Sequence, residues 1–115
     1  MISLIENHNM DLLWENPNPE NSFAAQNITL NRSLDNYKGL QIFFNGWAAQ
    51  HRTSVISNST TEDIVLNHMD ASRCYRPLTF IDGDREKISV GGGKTDGTDS
   101  TASCIPIAIY GIKSF

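Results

Sequence analysis

Residues 12–30, which read LLWENPNPENSFAAQNITL, constrain the fold of this chain more than any other stretch. Within it, every second residue from Gln26 to Leu30 points to the same side, which is the period of a half-buried strand. The two prolines of the NPNP segment cannot donate to a strand ladder, and they favour extended geometry in the asparagines before them. The stretch therefore predicts two strands joined by an ordered loop over residues 16–22.

The same short alternating segments recur along the whole chain. Many short strands separated by turn residues are typical of a sandwich or a barrel. We predict an all-β fold over residues 1–115, a single-domain antiparallel β-sandwich of jelly-roll-like type with about eight short strands. Its first ten residues include an apolar segment, 2–5, that forms either an edge strand or an N-terminal arm. The other predicted strands are 11–14, 26–30, 40–44, 52–57, 64–69, 75–81, 87–90 and 104–112.

Four local features refine the predicted strand pattern. Asn45-Gly46 is a hairpin signal at the end of the 40–44 strand. Pro77 has no N–H, which places the 75–81 strand at a sheet edge or at a bulge. A helix remains an alternative for residues 64–69, because threonine or aspartate side chains just before them could cap it. Residues 91–103, rich in Gly, Thr, Asp and Ser, form a loop that is mobile or shaped by a partner.

Large apolar and aromatic side chains at the inward positions predict a small core. They are Trp14, Phe23, Ile28, Leu30, Tyr37, Ile42, Phe44, Ile107 and Ile109. Cys74 and Cys104 lie far apart in sequence and form no CxxC pair, so they are either neighbours in the core or a disulfide. We favour two free thiols, because a free buried cysteine behaves as a small hydrophobic residue.

The composition argues against two classes of partner. The net charge is −4 and no basic run occurs, so nucleic-acid binding has little electrostatic support. No apolar run approaches the length of a membrane span, and the first residues lack the basic and apolar regions of a secretory signal. We therefore expect neither a nucleic-acid partner nor a membrane span.

The motifs that resemble catalytic or metal sites do not satisfy their patterns. The GGGKT run would need a glycine at Ile88 to be a phosphate-binding loop. The acidic residues 82–86 alternate like calcium ligands, but Lys87 occupies the position of the required glycine. The three histidines lie in separate segments without metal-site spacing, and no GxSxG elbow occurs. We expect no cofactor, no metal and no enzymatic activity.

Exposed aromatic residues are the candidates for ligand binding, because a sugar ring stacks on an indole or a phenol. Trp47, which follows the Asn45-Gly46 turn, and Tyr75 are the two candidates, with burial in the core as the alternative for each. Asp96 and Asp99, in the glycine-rich loop, complete the candidate set.

Three runs of residues carry a resemblance to a known family. Residues 14–30 fit W-x-N-x6-F-x2-Q-x-I-x-L, residues 34–44 fit L-x2-Y-x2-L-x-I-x-F, and residues 105–112 fit I-P-x2-I-Y-G-I. Together they resemble a small β-domain of tailed-bacteriophage structural proteins, often found at the ends of tail or baseplate proteins. The resemblance covers both ends of the chain and thins between Trp47 and Met69. Its motifs are structural, so it implies a fold and a setting without an active site.

The resemblance implies a non-enzymatic virion structural protein. We expect it on the virion exterior after synthesis in the host cytoplasm, as a tail or baseplate module that attaches to a host-surface glycan. The alternatives are a capsid decoration or head-fibre protein and, from another class, a cellular carbohydrate-binding module. The expected partners are other virion proteins and further copies of the chain, with a trimer favoured and the 2–5 arm and an open sheet edge as contacts. No coiled-coil or collagen-like shaft precedes the domain in this sequence, so we expect no long fibre.

Overall fold

The computed structural model describes residues 9–19, 22–47, 52–57, 60–69 and 73–114. Within these ranges the chain forms ten strands, one 3₁₀ turn at Leu34–Asn36 and no α-helix. The strands are β1 Met10–Glu15, β2 Gln26–Thr29, β3 Gly39–Trp47, β4 Arg52–Ser57, β5 Ile64–Met69, β6 Arg73–Ile81, β7 Asp84–Val90, β8 Lys94–Thr95, β9 Thr98–Asp99 and β10 Ser103–Ile112.

These strands form two antiparallel sheets packed face to face. The first sheet has the order β1-β10-β3-β4. The second has the order β2-β7-β6-β8-β9, and β5 pairs with the opposite edge of β6 from β8. The chain passes from one sheet to the other after β1, β2, β4 and β9. The predicted all-β sandwich is therefore confirmed.

Most predicted strands appear close to their predicted bounds. Residues 52–57 and 64–69 are strands over those same residues, so the helical alternative for 64–69 is wrong. Residues 91–103, predicted as a loop, contain the two-residue strands β8 and β9. The predicted arm or edge strand over residues 2–5 lies outside the described residues.

The predicted hairpin turn at Asn45-Gly46 is wrong, because β3 continues through both residues to Trp47. β3 and β4 do pair as antiparallel neighbours, with Asn45 opposite Arg52. Asn45 is fully buried, and its side-chain amide donates a hydrogen bond of 3.0 Å to the carbonyl of Pro19. Asn45 thus ties β3 to the proline-rich loop, and this non-local bond competes with the local preference of Asn-Gly for a turn.

The prediction that Pro77 lies in an edge strand or a bulge is also wrong. β6 is the central strand of the second sheet, and Pro77 pairs there with Val65. On the other edge of β6, the carbonyl of Pro77 accepts a 2.8 Å bond from the N–H of Gly91, just where β7 ends. Pro77 cannot donate in return, and the guanidinium of Arg76 donates to the carbonyl of Gly91 instead, at 2.9 Å. The neighbouring arginine thereby replaces the donor that proline lacks.

The core lies between the two sheets and contains most of the predicted set. Seven of those nine residues are buried: Phe23, Ile28, Leu30, Tyr37, Ile42, Phe44 and Ile109. The interior also holds fully buried leucines and isoleucines that the prediction omitted, such as Leu34, Leu66 and Ile105. The other two predicted residues, Trp14 and Ile107, are only half-buried.

Regular alternation along β1 explains why Trp14 is not a full core residue: Asp11 and Leu13 are buried, whereas Leu12 and Trp14 are half-buried. The pairing of β1 with β10 shifts by one residue between Leu12 and Trp14, which leaves Leu13 as an extra residue in β1. Leu13 is fully buried, whereas Trp14 only packs against the side of the core. Burial in β1 nevertheless alternates regularly through the bulge, so Leu13 is an inward residue and Trp14 points to the other side of the strand.

A second bulge explains the position of Ile107. The pairing of β10 with β3 shifts between Pro106 and Ala108, so Ile107 is the extra residue. Pro106 and Ala108 on either side of it are buried, which breaks the strict alternation that predicted Ile107 in the core. The prediction of regular alternation along the closing strand is therefore wrong, because every residue of β10 except Ile107 is buried.

Asn16 fixes the bulge in β10 from the end of β1. Its N–H donates to the carbonyl of Ile107 at 2.8 Å, and its side-chain amide donates to the carbonyl of Pro106 at 2.8 Å. The side-chain oxygen of Asn16 accepts a 2.9 Å bond from the N–H of Asn18. One buried asparagine thus holds both the bulge and the start of the proline-rich loop.

A buried carboxylate links several chain segments at one end of the first sheet. Asp11 accepts a hydrogen bond of 2.7 Å from the phenol of Tyr37, and it forms ion pairs with Arg32 at 2.6 Å and Lys113 at 3.4 Å. The Tyr37 hydrogen bond and then Arg32 hold the pKa of Asp11 below its usual value, although burial opposes them. The Tyr37 ring lies against Gly111, where a Cβ atom would be 2.5 Å from it.

Candidate functional site

An open groove lies where an edge of the first sheet meets an edge of the second. Its lining combines Trp14 of β1, the start of the proline-rich loop, residues 22–24 and the four residues of β2. We call it the Trp14 groove; its volume is about 540 Å³. The rings of Trp14 and Phe23 meet edge to face there, with centroids 5.9 Å apart and planes at 79°. Half-burial leaves Trp14 both fixed and accessible.

The polar lining of the Trp14 groove is made of amides and hydroxyls. It consists of Asn16, Asn18, Ser22, Gln26, Asn27 and Thr29. None of the described residues that line the groove carries a charge. Each amide side chain presents both a donor and an acceptor, and each hydroxyl can act as either. The groove can therefore hydrogen-bond a neutral, hydroxyl-rich ligand without desolvating a charge.

The local structure of β2 exposes most of its side chains to this groove. β2 is an edge strand that pairs only with β7 among the described strands. Of its four residues only Ile28 is buried. Gln26 was expected to share the inward face of Ile28, but it is exposed, and its amide donates to the carbonyl of Ala24 at 3.0 Å. This local bond turns the Gln26 side chain back along the segment that leads into β2.

A second open pocket adjoins the first. It has a volume of about 560 Å³ and lies beside Phe23, Ala25, Gly92 and the loop over residues 99–102. We call it the Gly92 pocket. Phe23 lines both sites, whereas Ala24 lines only the Trp14 groove and Ala25 only the Gly92 pocket. The segment leading into β2 is thus a ridge between two adjoining sites.

A buried arginine, Arg76, packs against Phe23, the residue that lines both sites. Arg76 is fully buried, and burial lowers its pKa. Its guanidinium lies over the ring of Phe23, 5.6 Å from the centroid, at a distance at which a cation and an aromatic face attract. No carboxylate among the described residues pairs with it. Its N–H groups donate instead to the backbone carbonyls of Gly91 (2.9 Å), Thr101 (3.2 Å), Ser103 (3.0 Å) and Cys104 (3.1 Å).

The two cysteines lie in this buried region and are both free. Burial raises the pKa of Cys104 to about 12, and Cys74 adds to the shift while Arg76 opposes it. Cys74 contacts the hydroxyl of Thr95 at 3.7 Å, and that hydroxyl bonds the side chain of Ser103. A buried thiol with a raised pKa is protonated at neutral pH and is a poor nucleophile.

Three of the four residues predicted to bind a ligand, Tyr75, Asp96 and Asp99, lie outside the Trp14 groove. The side chain of the fourth, Trp47, lies outside the described side chains. Tyr75 is half-buried on β6, in register with Lys94 of β8, which in turn faces Asp99 of β9. Lys94 forms a 2.8 Å ion pair with Asp99, which lowers the pKa of Asp99. The side chain of Asp96, in the β8–β9 turn, accepts a 2.9 Å bond from the N–H of Arg73.

The structure therefore brings Tyr75, Asp96 and Asp99 to adjoining strands but does not place them in the Trp14 groove. Tyr75 lines a separate shallow depression with Val65, Asn67 and Arg73. Asp99 lines the Gly92 pocket. The prediction missed Trp14 as a candidate site residue because it assigned that side chain to the core. The concentration of asparagine, glutamine and serine on both sides of Trp14 is the sequence feature that could have indicated the groove.

The described residues contain no group of three or more His, Cys, Asp or Glu side chains placed to hold a metal ion. Among the same residues, no helix is long and apolar enough to cross a membrane. Comparisons with protein-family models, with curated proteins and with solved structures gave no match to this chain.

Proposed function

We propose that this chain is a non-enzymatic structural protein of a bacteriophage virion, a tail or baseplate module on the particle exterior that attaches to a host-surface glycan. The observation that carries the proposal is the Trp14 groove. An aromatic ring offers a stacking surface for the apolar face of a sugar, and the surrounding amides and hydroxyls match its hydroxyl groups. The phage setting is supported by the motif resemblance at both ends of the chain.

A binding role is favoured over hydrolysis by the chemistry of the two sites. Glycoside hydrolysis requires two carboxylic side chains across the scissile bond. The described lining of the Trp14 groove holds no carboxylate, and the one in the Gly92 pocket, Asp99, is paired with Lys94. A single carboxylate held by a cation is not equipped for acid–base catalysis of this kind.

The motif residues have structural roles that are consistent with an attachment scaffold. Asn16 of the W-x-N motif fixes the β10 bulge, and Tyr37 of the L-x2-Y motif binds Asp11. Several copies on one particle would multiply a weak single-site affinity. We therefore retain a homo-oligomer, with a trimer favoured, as part of the proposal.

The test is binding of the purified protein to an array of bacterial surface oligosaccharides. We expect the native protein to bind at least one neutral saccharide, and we expect Trp14→Ala to lose most of the signal. Tyr75→Ala is the matched control, because it removes an aromatic ring outside the groove. Because Trp14 also packs against the core, Asn27→Ala provides a second groove variant at an exposed position. Absence of binding, or equal loss in Tyr75→Ala and Trp14→Ala, would refute the proposal.

A capsid decoration or head-fibre protein is the second candidate, and open sheet edges favour it. β4 and β5 are edge strands among the described elements, and each exposes a large apolar side chain, Ile56 at 59% and Val65 at 51%. Open sheet edges are suited to pairing with another protein. Locating the protein by electron microscopy of the particle separates a tail position from a capsid position. A cellular carbohydrate-binding module would instead be encoded beside a glycosidase.

A further inference from the structure

We infer that the ligand is an extended, neutral oligosaccharide that occupies the Trp14 groove and the Gly92 pocket together. This inference rests on the proposed function and specifies its ligand class. The two sites share Phe23 and are separated only by the ridge at Ala24 and Ala25. With volumes of about 540 and 560 Å³, they are similar in size, so each has room for part of one chain.

The charges around the sites favour a neutral chain over an acidic one. The described lining of the Trp14 groove is uncharged, and the Gly92 pocket is lined by the carboxylate of Asp99. That side chain is 91% exposed, and its cation partner Lys94 does not line the pocket. The chain as a whole carries a net charge of −4. The described lining of the two sites therefore offers a uronic or phosphorylated saccharide no cationic side chain to bind.

Arg76 makes the floor of the Gly92 pocket rigid. It ties the loop carbonyls of Gly91 and Thr101 to β6 and lies against Phe23, the wall shared by both sites. Gly93 packs so closely that a Cβ there would lie 2.6 Å from two backbone oxygens and 2.8 Å from Arg76. A pocket that is already ordered loses little entropy when a ligand binds. This preorganisation supports a binding role for the Gly92 pocket as well as for the Trp14 groove.

Gly92 provides a direct test of the second site. A Cβ built at Gly92 has no heavy atom within 4 Å, and Gly92 does not have the positive φ that only glycine adopts easily. Gly92→Leu should therefore fold normally and fill the pocket that Gly92 lines. Thr79→Leu is the matched control, because Thr79 is exposed on β6 and lines neither site.

The experiment measures binding of neutral di-, tetra- and hexasaccharides of glucose, galactose and N-acetylglucosamine, with uronic-acid oligomers of the same lengths. We expect the hexasaccharide of at least one neutral series to bind about tenfold more tightly than its disaccharide, which corresponds to about 1.4 kcal/mol. Gly92→Leu should reduce hexasaccharide affinity to about that of the disaccharide. Thr79→Leu should change neither.

The outcomes separate this inference from the proposed function. If a saccharide binds in a Trp14-dependent manner but its affinity is independent of length and of Gly92→Leu, the extended-ligand inference is wrong while the attachment proposal stands. If uronic oligomers bind more tightly than neutral ones, the neutral-ligand inference is wrong. If no saccharide binds at all, both the proposed function and this inference fail.

Discussion

Replacing Arg76 with methionine tests whether its buried guanidinium holds residues 91–104 in place. Of its four carbonyl bonds, those to Ser103 and Cys104 are buried, and those to Gly91 and Thr101 are partly accessible to water. A buried acceptor left without a donor costs about 1–3 kcal/mol, so the two buried carbonyls together cost about 2–6 kcal/mol.

Two effects reduce this expected loss of stability. The partly accessible carbonyls can recover hydrogen bonds from water. Methionine also fills much of the same space and removes the cost of burying a charge, which has no carboxylate partner among the described residues. We therefore expect Arg76→Met to lower the free energy of unfolding by about 2–4 kcal/mol, a large share of the 5–15 kcal/mol typical of a single domain.

The assay is urea unfolding of the full chain, followed by the fluorescence of Trp14 and Trp47. Arg73→Met is the matched control, because Arg73 lies on the same strand but is exposed, and such substitutions usually change stability by less than about 0.5 kcal/mol. If Arg76→Met lowered stability by no more than the control, the four bonds would contribute nothing net, and the argument for a rigid loop would be refuted.

Three further predictions follow from close contacts and shifted pKa values. Gly111→Ala should lower the free energy of unfolding by about 1–3 kcal/mol in urea titrations, because its Cβ would overlap the Tyr37 ring, whereas Gly92→Ala should be neutral. Because the folded-state pKa of Asp11 lies below 3.8, its contribution to stability is present above that pH and is lost as the pH falls through the folded value. The stability difference between native protein and Asp11→Asn should therefore shrink on acidification below pH 4, and a constant difference would contradict it. Cys104 should resist thiol reagents at pH 8 in the folded protein and react once urea unfolds it, since burial raises its pKa to about 12.

The strands were predictable from sequence wherever one face is buried and the ladder is regular. β4 and β5 match their predicted bounds, and Ile42 and Phe44 of β3 are buried as their alternation indicates. In such segments the side-chain period is fixed by the pleat, so the pattern of apolar residues carries the register. The regular strands of the sandwich can thus be predicted from the local pattern of apolar residues.

The features that the sequence did not reveal depend on contacts between distant segments. The bulges at Leu13 and Ile107 insert one residue without a distinctive residue type, and Asn16, far from Ile107 in sequence, fixes the second one. Pro77 occupies a central strand because the Arg76 side chain donates the hydrogen bond that Pro77 cannot. The rule that excludes proline from central strands considers only the proline itself, so it does not predict that a neighbouring side chain supplies the missing donor.

The candidate site was missed for the same reason. It requires β1 and β2, which are neighbours in sequence but belong to different sheets, to place their edges side by side. Trp14 is available to the groove because it alternates in β1 with the buried Leu13. The prediction instead placed this large aromatic side chain in the core and left the surrounding amides as loop residues without a function.

Phe23 connects this site to the stability of the fold. One side of its ring receives the Arg76 guanidinium, and the ring also meets Trp14 edge to face. A change at Arg76 is therefore expected to affect Trp14 through the Phe23 ring, which contacts both side chains. Under the proposed function, a ligand bound at Trp14 would rest on this same ring. Binding and loop order are thus expected to be coupled, because a ligand that contacts only the ordered arrangement stabilises it. The coupling runs through direct contacts among three side chains and does not require movement of either sheet.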